Sequence, residues 1–380
     1  MLDVVIVGGG PVGLYLAALL LQDGVEVRVL EQRLQREPHS RAIGIHPPAL
    51  AVLDAVGVAS TMVDAGVQIR SGVAVSGGKT VGAMSFASVS ERFPFVLSVP
   101  QFTTESLLEQ RVTQLDGNAL VRGARVTEVT DDGGRVTLAV ESSQPGGTGS
   151  PVTAGLMIAA DGSRSLMRSR LGIDAKSRTY PDHYVMGDFA ADGAHNQEAV
   201  LYLEAEGIVE SFPLPGGLRR WVVRLRRPVQ VPNAVELARM VYLRTGIRPD
   251  PDTNTMLSGF SPRSTVACQT VAGRTGLLGD AAHEISPIGG QGMNLGWLDA
   301  AALAPIILAA LAGKPVGTRL QAYAAERRKA ARVARWQSEV NMTLGRPLPP
   351  PLLALRNRAV TAVARIPAAN RLVARRFTMQ

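Results

Sequence analysis

An α/β fold is predicted by three features of the chain. An apolar strand, Asp3 to Val7, runs straight into glycines spaced G-x-G-x-x-G at Gly8, Gly10 and Gly13, with a helix and a second apolar strand behind them. Residues 176–226 hold β-formers in short runs such as Ala199-Val-Leu-Tyr-Leu and Arg220-Trp-Val-Val-Arg-Leu, with few helix signals. From about residue 316 the chain turns helical and basic. The expected architecture is a Rossmann-like nucleotide-binding domain, an antiparallel-sheet domain beside it, and C-terminal helices.

Each residue of the first unit has a physical role. Gly8 allows the tight turn, Gly10 lets the backbone come close to a pyrophosphate, and Gly13 lets the helix lie on the strand. Pro11 and Val12 open the helix, whose unpaired N–H groups and partial positive charge suit phosphate. The second strand, from Val25, ends on Glu31, placed to accept hydrogen bonds from a ribose diol. Strand, helix and acid together turn a glycine-rich turn into a dinucleotide site.

Further along, Ser40-Arg41-Ala42 leads to a helix over Ala49 to Val56, and the Arg41 guanidinium could pair with a phosphate near the glycine turn. Residues 67–99 alternate apolar and polar positions between glycine turns, which predicts short antiparallel strands. Gln101 to Leu115 reads as a helix and Ala119 to Val129 as a strand. A buried strand at Leu156 to Ala160 ends on Asp161-Gly162 and turns into a helix carrying Ser165 and Arg168, a turn able to hold a phosphate or a ribose. The last motif runs Gly279-Asp280-Ala-Ala-His283, then Pro287-Ile-Gly-Gly290-Gln-Gly292-Met293-Asn294. Asp280 can take another ribose hydroxyl, and the glycine loop delivers a bare helix start to something flat and electron-rich.

Composition narrows the class. With 46% hydrophobic and 19% charged residues in 380, the chain reads as globular and long enough for two domains. Met1-Leu-Asp-Val enters the first strand without a basic n-region or cleavage site, so a cytoplasmic protein is expected. The apolar run Ala300 to Ala312 is too short to span a bilayer and reads as a buried helix. Cys268 is the single cysteine and the five histidines are scattered, so no metal site is expected. The formal charge is +8, and from Lys314 onward fourteen Lys and Arg face only Glu326 and Glu339, so the basicity belongs to the tail. Tyr323, Trp336 and Phe377 are its only aromatics, too few stacking groups for a nucleic-acid surface, and no nucleic acid is expected.

G-x-G-x-x-G with Glu31, D-G-x-x-S-x-x-R at Asp161 to Arg168, and G-D-A-A-H with P-x-G-G-Q-G-M-N at Gly279 to Asn294 together resemble FAD-dependent aromatic hydroxylases of the p-hydroxybenzoate hydroxylase type, over most of residues 1–315. The resemblance implies that Gly8, Gly10, Gly13 and Glu31 hold the ADP half of FAD, with Pro11, Val12 and Gln32 beside them and Arg41 and Gln101 on the pyrophosphate side. It implies Asp161 and Arg168 for FAD and a passing NAD(P)H, and Asp280 for the ribitol and pyrophosphate region. Gly290, Gly292, Met293 and Asn294 would lie at the flavin pyrimidine end, with Pro287 beside the oxygen-reacting carbon. His283 is expected to make a structural hydrogen bond. Length and the run after Gly292 are similar to the shorter, ubiquinone-pathway branch, without an added thioredoxin-like domain. The W-x-W-x-I-P run of related halogenases is absent, and Gly207-Ile-Val-Glu-Ser-Phe-Pro-Leu-Pro stands in its region.

The resemblance implies hydroxylation of an aromatic, phenolic or polyketide-like substrate by FAD, O2 and a visiting NAD(P)H. A reductase of the geranylgeranyl-reductase kind and a non-catalytic flavin-binding protein are the alternatives. Tyr202, Phe212 or Trp221 could line the substrate, and spacing assigns no general base. The expected division gives residues 1–72, 100–175 and 259–315 to FAD, 73–99 and 176–258 to substrate, and 316–380 to a helical tail. In that tail Leu352, Leu355, Ala359 and Val363 share one helical face with Arg358 and Arg365 opposite. That face either packs on the FAD domain or leans on anionic lipid as a peripheral membrane contact.

Overall fold

The computed structural model describes residues 1–36, 42–144, 147, 149–191, 193, 197–228 and 233–380, and Arg41 lies outside them. The helices are α1 (Pro11–Gln22), α2 (Pro47–Asp54), α3 (Ala59–Asp64), α4 (Gln101–Leu115), α5 (Leu166–Arg170), α6 (Ala234–Thr245), α7 (Gln291–Leu311), α8 (Gly317–Leu344), α9 (Pro350–Arg365) and α10 (Pro367–Phe377).

The runs Leu2–Val7, Val27–Glu31 and Val152–Ala159 have no continuous polar face, so they must be covered on both sides. They pair in parallel, in the order Leu120–Arg122, Val27–Glu31, Leu2–Val7, Val152–Ala159, Thr275–Leu277. Val4 and Ile6 pack into one layer with α1, α2, α4 and α7, while Val5 and Val7 pack into the other with the antiparallel pair Ala124–Asp131 and Val136–Ser142. The strand expected over Ala119 to Val129 is two strands, because Gly123 at φ 73° turns the chain out of the parallel sheet. Parallel strands share one carboxyl edge, which brings the ends of these strands, and the turns after them, to a common side.

A second, seven-stranded sheet runs Met256–Phe260, His183–Ala190, Leu218–Leu225, Val209–Leu214, Glu198–Tyr202, Ser71–Ser76, Lys79–Ser85. Its outer face, including Val185, Phe189 and Val223, closes on Leu237 and Val241 of α6. Tyr202 and Trp221 lie on that face, stacked with ring centroids 6.0 Å apart, so they belong to core and do not line a substrate space. The inner face presents Met186, Leu201, Ile208, Phe212 and Val222, and Ile288 packs into the same cluster.

Helix α7 is 21 residues long and is the one helix among the described residues apolar enough to cross a membrane by length and composition. It starts directly after the glycine loop and takes in the apolar run from Ala300, so that run is the second half of a longer, mostly buried helix that continues through Pro305. Most of it is buried, against α1, α2 and α8, and the fully buried Trp297 donates to the Pro11 carbonyl at 3.0 Å.

The tail is pinned at one buried carboxylate. Asp182 accepts Arg224 Nε at 3.0 Å and Arg346 Nη2 at 2.8 Å, and both arginines hold its carboxyl below the usual range against the opposing effect of burial. Helices α9 and α10 then lie on the Ser71–Ser85 hairpin through Asn357 to Ser76, Thr361 to the Val81 carbonyl and Asn370 to the Ala83 carbonyl, each within 2.9 Å. They cover the seven-stranded sheet, not the parallel one. The face turned inward carries Arg356 and Val360, whereas Leu352 and Leu355 are 50% and 63% exposed, so the apolar stripe read from sequence is not the packed face.

Removing one partner of a buried ion pair strands the others, at a cost of about 3–5 kcal/mol. Asp182→Ala is expected to lose that much in denaturant unfolding and to make the chain after Arg346 the first segment cut in limited proteolysis.

Candidate active site

A cavity of about 1290 Å³ lies between the carboxyl edge of the parallel sheet and the inner face of the seven-stranded sheet. At its nucleotide end Gly8 has φ 110°, a conformation closed to residues with a side chain, and α1 starts at Pro11 with no side-chain cap. A Cβ at Gly10 would meet nothing within 4 Å, so this position opens to the cavity. Pro11 and Val12 line it too. Gly13 does not, because its Cα sits against the Gly8 carbonyl, where a Cβ would collide.

Glu31, 3% exposed, accepts from Gly9 N at 2.7 Å and from Arg33 N at 2.8 Å. Burial raises its pKa, but the Arg33 bonds and charge outweigh burial and leave the carboxyl lowered. It therefore ties the glycine turn to its own strand at the edge of the cavity. Gln32 lines the same end, and Gln101 reaches it from α4 while donating to Glu105 at 2.7 Å.

The second motif is used differently from expectation. Asp161 borders the cavity, but its carboxylate caps α5, accepting from Ser165 Oγ at 2.6 Å and Met167 N at 3.1 Å. Arg168 does not reach the cavity. Its guanidinium donates to the carbonyls of Ala281 at 2.8 Å and Ser163 at 3.3 Å, tying this motif to the Asp280 turn, and Arg164 lines the cavity instead.

Asp280 is exposed to the open cavity, yet the protein packed around it, by desolvation, pushes its carboxyl up to about 6, with the nearby His283 opposing. Behind it the buried His283 hydrogen-bonds Asp299 of α7, and Arg327 of α8 approaches the other Asp299 oxygen at 3.4 Å. Burial alone would lower His283, yet the charge and hydrogen bond of Asp299 raise it.

At the far end, Gly289 and Gly290 have φ 98° and 65°, and the left-handed Gly290 delivers α7 without a side-chain cap. Pro287, Gly290, Gly292 and Met293 line the cavity here. Asn294 does not: fully buried, it accepts from His46 N at 2.8 Å and donates to the carbonyls of Gly44 at 2.9 Å and Gly290 at 2.7 Å. It holds two loops together and shapes the site from behind.

Sequence reasoning passed over four groups that the fold brings to this cavity. His46 is buried, and its ring is pushed down to about 4 by burial, so it is neutral at neutral pH. Arg220 makes a buried bidentate pair with Asp188, both bonds 2.7 Å. Arg356 enters from α9, and Glu210 lies on the inner sheet face. Only Glu210 left a signal, as an acid between the apolar Ile208 and Phe212 on one face of a strand.

Two helix starts without side-chain caps, an open Gly10 and an acid closing the second strand are a donor set that fits FAD. Fold and site define an FAD-binding α/β protein. The chain belongs to the family described as the FAD binding domain, whose model matches residues 1–337. It is 31% identical over 334 residues to an uncharacterized aromatic compound monooxygenase, YhjG, of Bacillus subtilis (strain 168), covering 87% of this chain and 66% of that protein, slightly under two thirds. It is 32% identical over 343 residues to the anhydrotetracycline monooxygenase of Streptomyces rimosus, covering 87% and 67%. The crystal structure of p-nitrophenol 4-monooxygenase PnpA from Pseudomonas putida DLL-E4 superposes with a TM-score of 0.88 over 100% of this chain and 98% of that one, at 24% identity, a likeness of fold.

The two glycines predict different failures. Gly10→Val is expected to fold with wild-type circular dichroism yet purify colourless, because the new side chain fills the pyrophosphate position. Gly13→Val is expected in the insoluble fraction, because its Cβ meets the Gly8 carbonyl.

Proposed function

We propose that this chain hydroxylates an electron-rich aromatic substrate, phenolic or polyketide-like, with NAD(P)H and O2. The observation that carries the reading is the continuity of one cavity from Gly10 to Phe212, which gives a dinucleotide and an aromatic ring a shared space. FAD, when bound, takes electrons from NAD(P)H and activates O2. The chain's own residues bind and exclude. In this assignment Gly8, Gly10, Pro11, Val12, Glu31, Gln32 and Gln101 cradle the adenine and pyrophosphate half, and Asp161 and Asp280 border the middle. Pro287, Gly290, Gly292 and Met293 flank the ring. Gly13, Arg168 and Asn294 position those residues, and the nicotinamide cofactor visits as a transient co-substrate.

The division into an FAD part (1–72, 100–175, 259–315), a substrate part (73–99, 176–258) and a tail (316–380) belongs to the same proposal. So does a cytoplasmic setting, where NAD(P)H is at hand. The inner sheet face with Met186, Leu201 and Val222 makes the substrate wall, and α9 and α10 roof it with Val360 and Phe377, which keeps water from the reacting ring. A placement nearer the ubiquinone-pathway branch draws no support from the relatives' names, and the substrate class rests on the cavity instead.

The test screens phenols and fused-ring aromatics for stimulated NAD(P)H oxidation and repeats the best under labelled dioxygen. One labelled oxygen atom per product is expected. Unlabelled product with a saturated double bond would replace this reading with the reductase.

A second reading is favoured by the outward apolar stripe. Leu355, Ile366 and Leu372, 63%, 55% and 55% exposed, lie among the exposed Arg358, Arg365, Arg371 and Arg375. We assign this face to peripheral contact with anionic lipid, where each basic residue contributes about 1 kcal/mol. Co-sedimentation with anionic vesicles at low salt, lost at high salt and in Leu355→Glu/Ile366→Glu, is the expected outcome. A protein that stays in the supernatant at low salt would leave the tail as a roof alone.

A further inference from the structure

Among the described residues, Glu210 is the one carboxylate on the inner face of the substrate sheet that the fold does not otherwise employ. It projects from Val209–Leu214 between Ile208 and Phe212, across from Leu201 on one neighbouring strand and Val222 on the other, and it lines the cavity. Ile288, next to Pro287, packs with Ile208 and Val222, so this patch of sheet lies against the loop that precedes α7. Among the described residues the Glu210 carboxylate has no hydrogen-bond or ion-pair partner.

Among the described residues, the arginines around it are engaged elsewhere. Arg220 is paired with Asp188, and Arg224 and Arg346 are paired with Asp182. Arg356 donates to the carbonyls of Leu203 and Leu344, each at 2.8 Å. Tyr184, stacked on Phe260 of the cavity wall, keeps a buried hydroxyl without a partner, and its ionisation is suppressed by burial first and by the Glu210 charge next. A carboxylate that burial costs this much, with no cation beside it, is retained at a binding wall when a ligand supplies the missing partner.

We propose that Glu210 receives the proton of the substrate's ring hydroxyl, which makes it a catalytic residue of the hydroxylation and fixes the substrate class as phenols rather than unsubstituted or alkoxy arenes. The inference rests on the aromatic-substrate reading above. In the step, the phenol O–H bond breaks with its electron pair left on oxygen, and the proton joins a Glu210 carboxylate oxygen. The product is a phenolate hydrogen-bonded to a neutral carboxylic acid, with net charge unchanged, and the electron-rich ring is the form that accepts an oxygen atom. Burial alone pushes the Glu210 carboxyl up to about 7, so it is a base above that pH and a neutral acid below it, matched to work near neutrality.

The experiment uses FAD-loaded enzyme with 2-naphthol and its methyl ether as probes, without NAD(P)H, so that binding is read alone through the flavin spectrum. A phenol donates to an ionised carboxylate more strongly than to a neutral one, and the ether, equal in shape and burial, cannot donate. The preference for naphthol over ether is expected to rise about tenfold between pH 6 and 8 in wild type and to be flat in Glu210→Gln. With a substrate from the dioxygen screen, wild-type kcat/KM is expected to climb through about pH 7, and Glu210→Gln to fall about 10²- to 10⁴-fold. A pH-independent preference in wild type overturns the proposal without any variant. A Gln variant that keeps the wild-type pH profile overturns it as well. A naphthylmethylammonium probe binding more tightly than naphthol would make Glu210 a counter-ion for amines and also overturn it. Failure of both naphthalenes to perturb the wild-type flavin removes the aromatic-substrate reading itself, and this proposal with it.

Discussion

The molecule depends on how closely two helices can approach the carboxyl edge of the parallel sheet. Helix α1 reaches it because Gly13 has no Cβ to strike the Gly8 carbonyl. Helix α7 reaches it because Gly296 leaves room for Val12 and Gly279, where a Cβ would come within 2.6 Å of a Val12 methyl. Packed this tightly, both helices start at the cavity without side-chain caps, and their unsatisfied N–H groups face one space. Every other part of the site is arranged around those two starts.

Several polar residues at the edge of this space or behind it act through the backbone. Glu31 grips Gly9, Asp161 caps α5, Arg168 ties Ser163 to Ala281, and Asn294 links Gly44, His46 and Gly290. These bonds hold loops that would otherwise be free to move, so donors meant for a ligand are preorganised. His283 and Asp299 do the same one layer further out, joining the Asp280 turn to α7, with Arg327 bringing in α8. The nucleotide end of the cavity is therefore cross-braced by side-chain hydrogen bonds.

The opposite wall follows another logic. The seven-stranded sheet gives one face to α6 and the other to the cavity, so residue parity alone decides whether an aromatic is core or wall. Parity puts Trp221 and Tyr202 outside and Phe212 and Glu210 inside. The same wall is closed by the tail, held at Asp182 and along the Ser71–Ser85 hairpin, which makes the last helices part of the substrate space.

The sequence by itself determined the nucleotide half, because the demands there are local: a glycine where φ is positive or a backbone must come close, an apolar run for a strand covered on both faces, an acid at a strand end. It also determined that a β-rich unit and a basic helical tail follow. It left open which face each strand would bury, since period-two patterning is blurred when both faces are covered, and so Trp221 and Tyr202 could not be told from Phe212. Tertiary structure alone decided that Arg168 and Asn294 serve the backbone, because spacing places a side chain near a turn without saying which carbonyl will take its hydrogen bond. It alone set Arg356 and Val360, rather than Leu352 and Leu355, against the sheet. Glu210 stands between the two: the odd acid was visible in the strand, but the absence of any counter-charge came from the pairing of Arg220, Arg224, Arg346 and Arg356 with other partners, distant in sequence and adjacent only after folding.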